Sequence, residues 1–145
     1  VATLKSNGCK DIILLKCTSA YPSLPQDINL NTIPHMKTKF DVQVGFSDHT
    51  MGVTMPIAAV ALGATVVEKH FTLSRAEGGV DSHFSLEPNE LKELVNSTKI
   101  VWEALGKEVY GGSGQSENSS KVYRRSVYVA QDIKAGELFT EQNIT

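Results

Sequence analysis

The chain has 145 residues, 41% of them apolar, with a formal net charge of −2 and two cysteines. Such a chain can bury one ordinary core, and its charge leaves no electrostatic footprint for nucleic acid or an anionic membrane. No apolar run approaches the roughly 20 residues that span a bilayer, and two cysteines form no disulfide framework, so a reduced, cytoplasmic setting is expected.

The chain opens on Val1-Ala2-Thr3-Leu4-Lys5, with no initiator Met and no signal-peptide pattern, as expected of an internal cut. Between Cys9 and Cys17 lies the compact apolar run Ile12 to Cys17, suited to a buried strand and broken by Thr18-Ser19-Ala20-Tyr21-Pro22. From Asp27 to Lys37, Ile28, Ile33 and Met36 recur at roughly helical spacing, limited by Pro34. Val42 to Phe46 reads as a second strand, Met55 to Leu62 as a small-residue apolar helix, and Ala64 to Phe71 as a third strand. Ser85-Leu86-Glu87-Pro88 starts a long helix from Asn89 to Leu105, closed by Gly106, with an apolar side of Leu91, Leu94, Val95, Val101, Trp102 and Leu105.

Strand then helix, repeated, is the pattern of a parallel α/β sheet or barrel. A closed barrel needs eight strands, so the remaining strands are expected upstream. Residues 1–106 are read as the carboxyl-terminal part of a barrel domain, and 107–122, around Tyr110-Gly111-Gly112-Ser113-Gly114, as a linker. Residues 123–145 begin a small β-rich domain, with a short strand over Arg125 to Ala130 and a turn at Lys134-Ala135-Gly136-Glu137.

Two strands end alike, one at Gly45-Phe46-Ser47-Asp48-His49-Thr50 and the next at Val67-Glu68-Lys69-His70-Phe71-Thr72. Histidines at the carboxyl ends of neighbouring parallel strands can hold a divalent metal above a barrel. Strand alternation puts Glu68 and His70 on one side and Lys69 on the other. For Glu68 the alternative is a structural carboxylate; for Lys69 it is a salt bridge or helix contact outside the barrel. Ser47 and its neighbouring backbone N–H groups suit an anion, or else cap the next helix. Asp48 either orients an imidazole or caps the turn. Asp81, after two glycines, is otherwise a turn former, as Ser19 and Tyr21 are beside Pro22. Asn96-Ser97-Thr98 and Asn118-Ser119-Ser120 fit a glycosylation pattern and are read as chance.

These strand ends, together with Asp81, Ser85-Leu86-Glu87-Pro88 and Arg124-Arg125-Ser126-Val127, resemble the sialic acid synthase family over essentially the whole chain. The resemblance implies strands six to eight of a (β/α)₈ TIM barrel, a linker, and the incomplete start of an antifreeze-like (SAF) domain. It implies condensation of phosphoenolpyruvate with an N-acylated amino-sugar aldehyde to give a nine-carbon 2-keto acid and phosphate. It also implies a divalent cation, most often Mn²⁺ with Mg²⁺ or Co²⁺ as alternatives, held by His49 and His70. Glu68 and Asp81 join the histidines as catalytic residues. Ser19, Tyr21, Ser47, Lys69 and Tyr123 are the implied substrate contacts.

Gly78-Gly79-Val80-Asp81-Ser82 and Ser19 depart from the N-acetylneuraminate branch toward the pseudaminic acid branch. N-acetylneuraminate, legionaminate and spore-coat polysaccharide synthases are the alternatives within the family. A carbohydrate-binding module or another metal barrel enzyme, such as an aldolase or deacetylase, is the alternative class. The family forms homodimers with exchanged SAF domains, so residues 1–145 alone are expected to be inactive and not a stable monomer.

Overall fold

Three parallel strands make the sheet, in the spatial order in which they occur in the chain: β1 (Ile13–Cys17), β2 (Gln43–Asp48) and β3 (Val67–Lys69). Cys17 pairs with Ser47, Ser47 with Glu68, and Asp48 with Lys69, so the polar strand ends lie side by side. The computed structural model describes residues 1–111 and 114–145. They fall into two compact units, Val1–Gly106 and Lys107–Thr145.

In the first unit, a short helix α1 (Ala2–Ser6) precedes β1; α2 (Thr32–Phe40) and α3 (Thr54–Ala61) follow β1 and β2, and α4 (Pro88–Leu105) follows β3. Helix α2 starts at Thr32 rather than near Asp27, after a separate turn at Pro25–Asp27. Pro34 explains the later start: in the first helical turn its missing N–H has no partner to lose, whereas deeper it would break the ladder.

The core lies between sheet and helices. Val44 and Phe46 of β2 pack with Ile28, Ile33, Ala59 and Ala64, all buried. Alternation then turns Gly45, Ser47 and His49 to the opposite face, where Gly45 is crowded. A Cβ there would stand 2.5 Å from Leu15 Cδ2 and 2.6 Å from the Val66 carbonyl oxygen.

Helix α4 begins with a capping box of Glu87 and Glu90 and with Pro88 in its first turn. Of its expected apolar side, Leu94 is buried, while Leu91, Val95, Trp102 and Leu105 are exposed.

The second unit holds α5 (Gln115–Ser119) and a turn at Ser120–Tyr123. The expected linker therefore contains a helix, and its Gly112 and Ser113 lie outside the described residues. The expected strand over 125–130 is reduced to an isolated antiparallel bridge between Val129 and Ile144. A lone two-stranded contact gives too little pairing to extend into a ladder. Asn143 secures that segment, accepting from Thr140 N at 2.7 Å and donating to the Leu138 carbonyl at 3.0 Å. No described helix is long and apolar enough to cross a membrane.

Candidate active site

The carboxyl ends of β1, β2 and β3 carry an aromatic and imidazole cluster. The His49 and His70 rings lie 5.2 Å apart between centroids at 65°. Tyr21 stands 4.3 Å from His49 and 6.1 Å from His70. Phe84 closes the group at 4.9 Å from His70 and is itself 1% exposed.

His49 is buried, and its Nδ1 lies 3.1 Å from the Thr18 carbonyl oxygen and 3.9 Å from Cys17 Sγ. Donation of Nδ1–H to that carbonyl fixes the tautomer and leaves Nε2 with a free lone pair. The loop supplying the carbonyl is held in turn: Ser23 N donates to the His49 carbonyl at 2.9 Å, and Ser23 Oγ to the Ala20 carbonyl at 2.8 Å. Ser19 and Tyr21 are exposed in this loop.

On the same face, Ser47 Oγ donates to Glu68 Oε1 at 2.6 Å, a short charge-assisted bond across the strand pair. Ser47 therefore braces the carboxylate and does not cap α3, which starts at Thr54. Asp48 and Lys69 turn the other way. Lys69 Nζ meets Asp48 Oδ2 at 2.6 Å and the Thr50 carbonyl at 2.6 Å, and Thr50 N donates to Asp48 Oδ1 at 2.9 Å. The side chains of this pair are 3% and 0% exposed. Lys69 is thus the one implied substrate residue of these strands that the fold withholds from the histidine face. Asp48 reaches Lys69 and Thr50 rather than an imidazole.

Asp81 sits in the left-handed region at φ 65, and its Oδ2 lies 3.9 Å from His70 Nδ1, too long for a hydrogen bond. Ser85 N and Oγ both donate to the Asp81 carbonyl, at 3.2 and 2.8 Å. Tyr123 belongs to the second unit, where it is exposed.

Two contributors carry no role in the sequence reading. Phe84 is a single aromatic in a polar loop, with no periodicity to mark it. Arg75 ties that loop to α4: Nη2 reaches Glu90 Oε1 at 3.1 Å and Glu87 Oε2 at 3.3 Å, and Nη1 donates to the Ser85 carbonyl at 3.0 Å. The Arg75 hydrogen bond, with help from the Glu87 N–H, holds the Glu90 carboxyl below its ordinary pKa. Glu90 in turn raises that of Arg75.

The two imidazoles suit a borderline divalent ion. Nitrogen ligands at about 2.1 Å put two ring centroids roughly 4.5–6.5 Å apart for ligand–metal–ligand angles between about 90° and 180°. The observed 5.2 Å falls inside that span. Among the described residues no group of three or more His, Cys, Asp or Glu gathers at metal-binding spacing. Among the described residues, His49 and His70 are the pair that would hold such a cation.

Residues 1–110 match the NeuB family. A pseudaminic acid synthase of Campylobacter jejuni is 46% identical over 136 residues, covering 92% of this chain and 39% of that protein. An N,N'-diacetyllegionaminic acid synthase of the same species is 42% identical over 144 residues, covering 98% and 43%. Among solved structures, the N-acetylneuraminic acid synthetase of Leptospira borgpetersenii superposes with a TM-score of 0.68 at 40% identity, covering 77% of this chain and 39% of that one. The chain spans about two fifths of the length of these relatives. It belongs to the NeuB family.

Proposed function

We propose that this segment supplies the later strands of a (β/α)₈ synthase barrel that condenses phosphoenolpyruvate with an N-acylated amino-sugar aldehyde. The observation that carries the reading is the His49–His70 pair at neighbouring parallel strand ends, with Asp81 facing His70 and Glu68 held by Ser47 on the same strand face. Active sites of such barrels gather at that end of the strands.

In the proposed reaction the enol carbon of phosphoenolpyruvate bonds to the aldehyde carbon, and the aldehyde oxygen takes up a proton. Water adds at the phosphate-bearing carbon, whose oxygen–phosphate unit departs as inorganic phosphate. A nine-carbon 2-keto acid remains. His49 and His70 would hold a divalent cation, Mn²⁺ in the first instance, that polarises the aldehyde oxygen when bound. The Thr18 carbonyl keeps the His49 lone pair available on Nε2. Glu68, held by Ser47, is oriented to hold or move a proton on the same face, and Asp81 faces His70 from the loop. Tyr21 offers a ring and hydroxyl beside His49 for the sugar.

The branch is proposed as pseudaminic acid-type, on Ser19 and on the loop from Gly78 to Ser82. The alternative is an N-acetylneuraminate or legionaminate synthase, because relatives of more than one branch are similar. The longer chain is proposed to act in the cytoplasm as a homodimer with exchanged SAF domains.

A phosphate-release assay on the full-length protein tests the reaction. Phosphate should appear only when phosphoenolpyruvate, aldose and divalent cation are all present, and release without the aldose would overturn the synthase reading. Competition between N-acetylmannosamine and a 2,4-diacetamido-2,4,6-trideoxy-altrose-type sugar tests the branch; preference for the former would overturn the pseudaminic assignment.

A further inference from the structure

The segment between β3 and α4 doubles back on its own start. Leu86 N donates to the His70 carbonyl and Thr72 N to the Leu86 carbonyl, both at 2.9 Å, forming a parallel bridge between Phe71 and Leu86. Asp81 lies within the loop this bridge closes, held by the Ser85 bonds to its carbonyl.

Arg75 sits across the neck of that loop. Its backbone N donates to Glu87 Oε1 at 2.8 Å. Its guanidinium grips both carboxylate oxygens of Glu90, one oxygen of Glu87 and the Ser85 carbonyl. Glu90 Oε2 also accepts from Glu87 N at 2.8 Å, so the latch is built on the capping box of α4. One planar fork thus fixes the outgoing arm of the loop, its returning arm and the helix start, which a single point charge could not do.

We propose that Arg75 is a positioning residue that sets Asp81 opposite His70 by latching the His70–Glu87 loop to the start of α4. Asp81 makes its contact from a left-handed backbone conformation, which Asp tolerates better than most non-glycine residues but which is steadier where neighbouring bonds hold it. The bonds from Ser85 supply that constraint, and Arg75 holds Ser85. The kinetic consequence rests on the synthase reading; the structural one does not.

The test uses the full-length protein with Arg75→Ala, Asp81→Asn and the double variant. Hydrogen exchange at amides 71–86 should quicken about tenfold or more in Arg75→Ala, while amides in the second half of α4 keep their protection. Turnover should fall by about tenfold to a hundredfold at an unchanged KM for phosphoenolpyruvate. If Arg75 acts through Asp81, its replacement adds little to the loss already present in Asp81→Asn. Equal loss in both backgrounds, or unchanged exchange in the loop, overturns the latch. Should Arg75→Ala not fold, Glu90→Gln goes through the same cycle, since it removes the carboxylate charge that faces the fork and keeps one acceptor. Absence of synthase activity in the unsubstituted protein would overturn the reading of the reaction and leave the exchange measurement to decide the latch.

Discussion

Lys69 Nζ lies 2.6 Å from Asp48 Oδ2, with both side chains out of solvent, and each residue immediately precedes a histidine of the site. The ion pair joins β2 to β3 on the helix side of the sheet at the level where His49 and His70 leave the other side. The separation of the two imidazoles is thereby tied to a contact that faces away from them.

Removing one partner leaves a buried charge uncompensated. Lys69→Met should destabilise the full-length protein by about 3–5 kcal/mol. Asp48→Asn combined with Lys69→Met should recover part of that loss. Urea unfolding midpoints of the three proteins measure it. A single-variant loss below about 1 kcal/mol would mean that water reaches the pair.

Each histidine should be needed separately for the dependence on divalent cation. His49→Ala and His70→Ala are each expected to lower cation-dependent turnover by more than the roughly 10–100-fold usual for residues behind the ligands. Titration of turnover with Mn²⁺ checks this. A normal titration curve in both variants would reject the shared ion.

Gly45 is set by space rather than by backbone angle. Its missing Cβ would meet Leu15 Cδ2, which can swing aside, and the Val66 carbonyl, which belongs to the backbone leading into β3 and cannot. Gly45→Ala should cost about 1–3 kcal/mol, as overpacking does. Thermal unfolding reports it, and an unchanged midpoint would show that the strands separate at little cost.

Acid should loosen the helix start. The fold favours the charged form of Glu90, through the Arg75 fork first and the Glu87 N–H second. Its folded-state pKa therefore lies below the ordinary 4.5. For a depressed carboxylate, the contribution to stability is fully present above the unfolded value and disappears as pH falls through the folded one. Unfolding midpoints taken from pH 7 down to about pH 3 should fall less steeply below 4.5 in Glu90→Gln than in the unsubstituted protein. Parallel curves would mean that the pair contributes nothing in solution.

Much of the frame was legible in the sequence because its causes are local. Apolar runs bounded by turn residues mark the three strands. The Pro88 start and Gly106 stop mark α4. Alternation with period two is a property of any extended chain, so Glu68 and His70 could be set on one side and Lys69 on the other without coordinates. The resemblance implied a substrate contact for Lys69, with a salt bridge as the alternative, and only the register of β2 against β3 identifies Asp48 as its partner. Phe84 against the imidazoles, Arg75 against Glu87 and Glu90, and the Thr18 carbonyl on His49 are likewise tertiary. These contacts join residues far apart in the chain, where no periodicity links one partner to the other. Side-chain period determines which way a residue faces; only packing decides what it meets there.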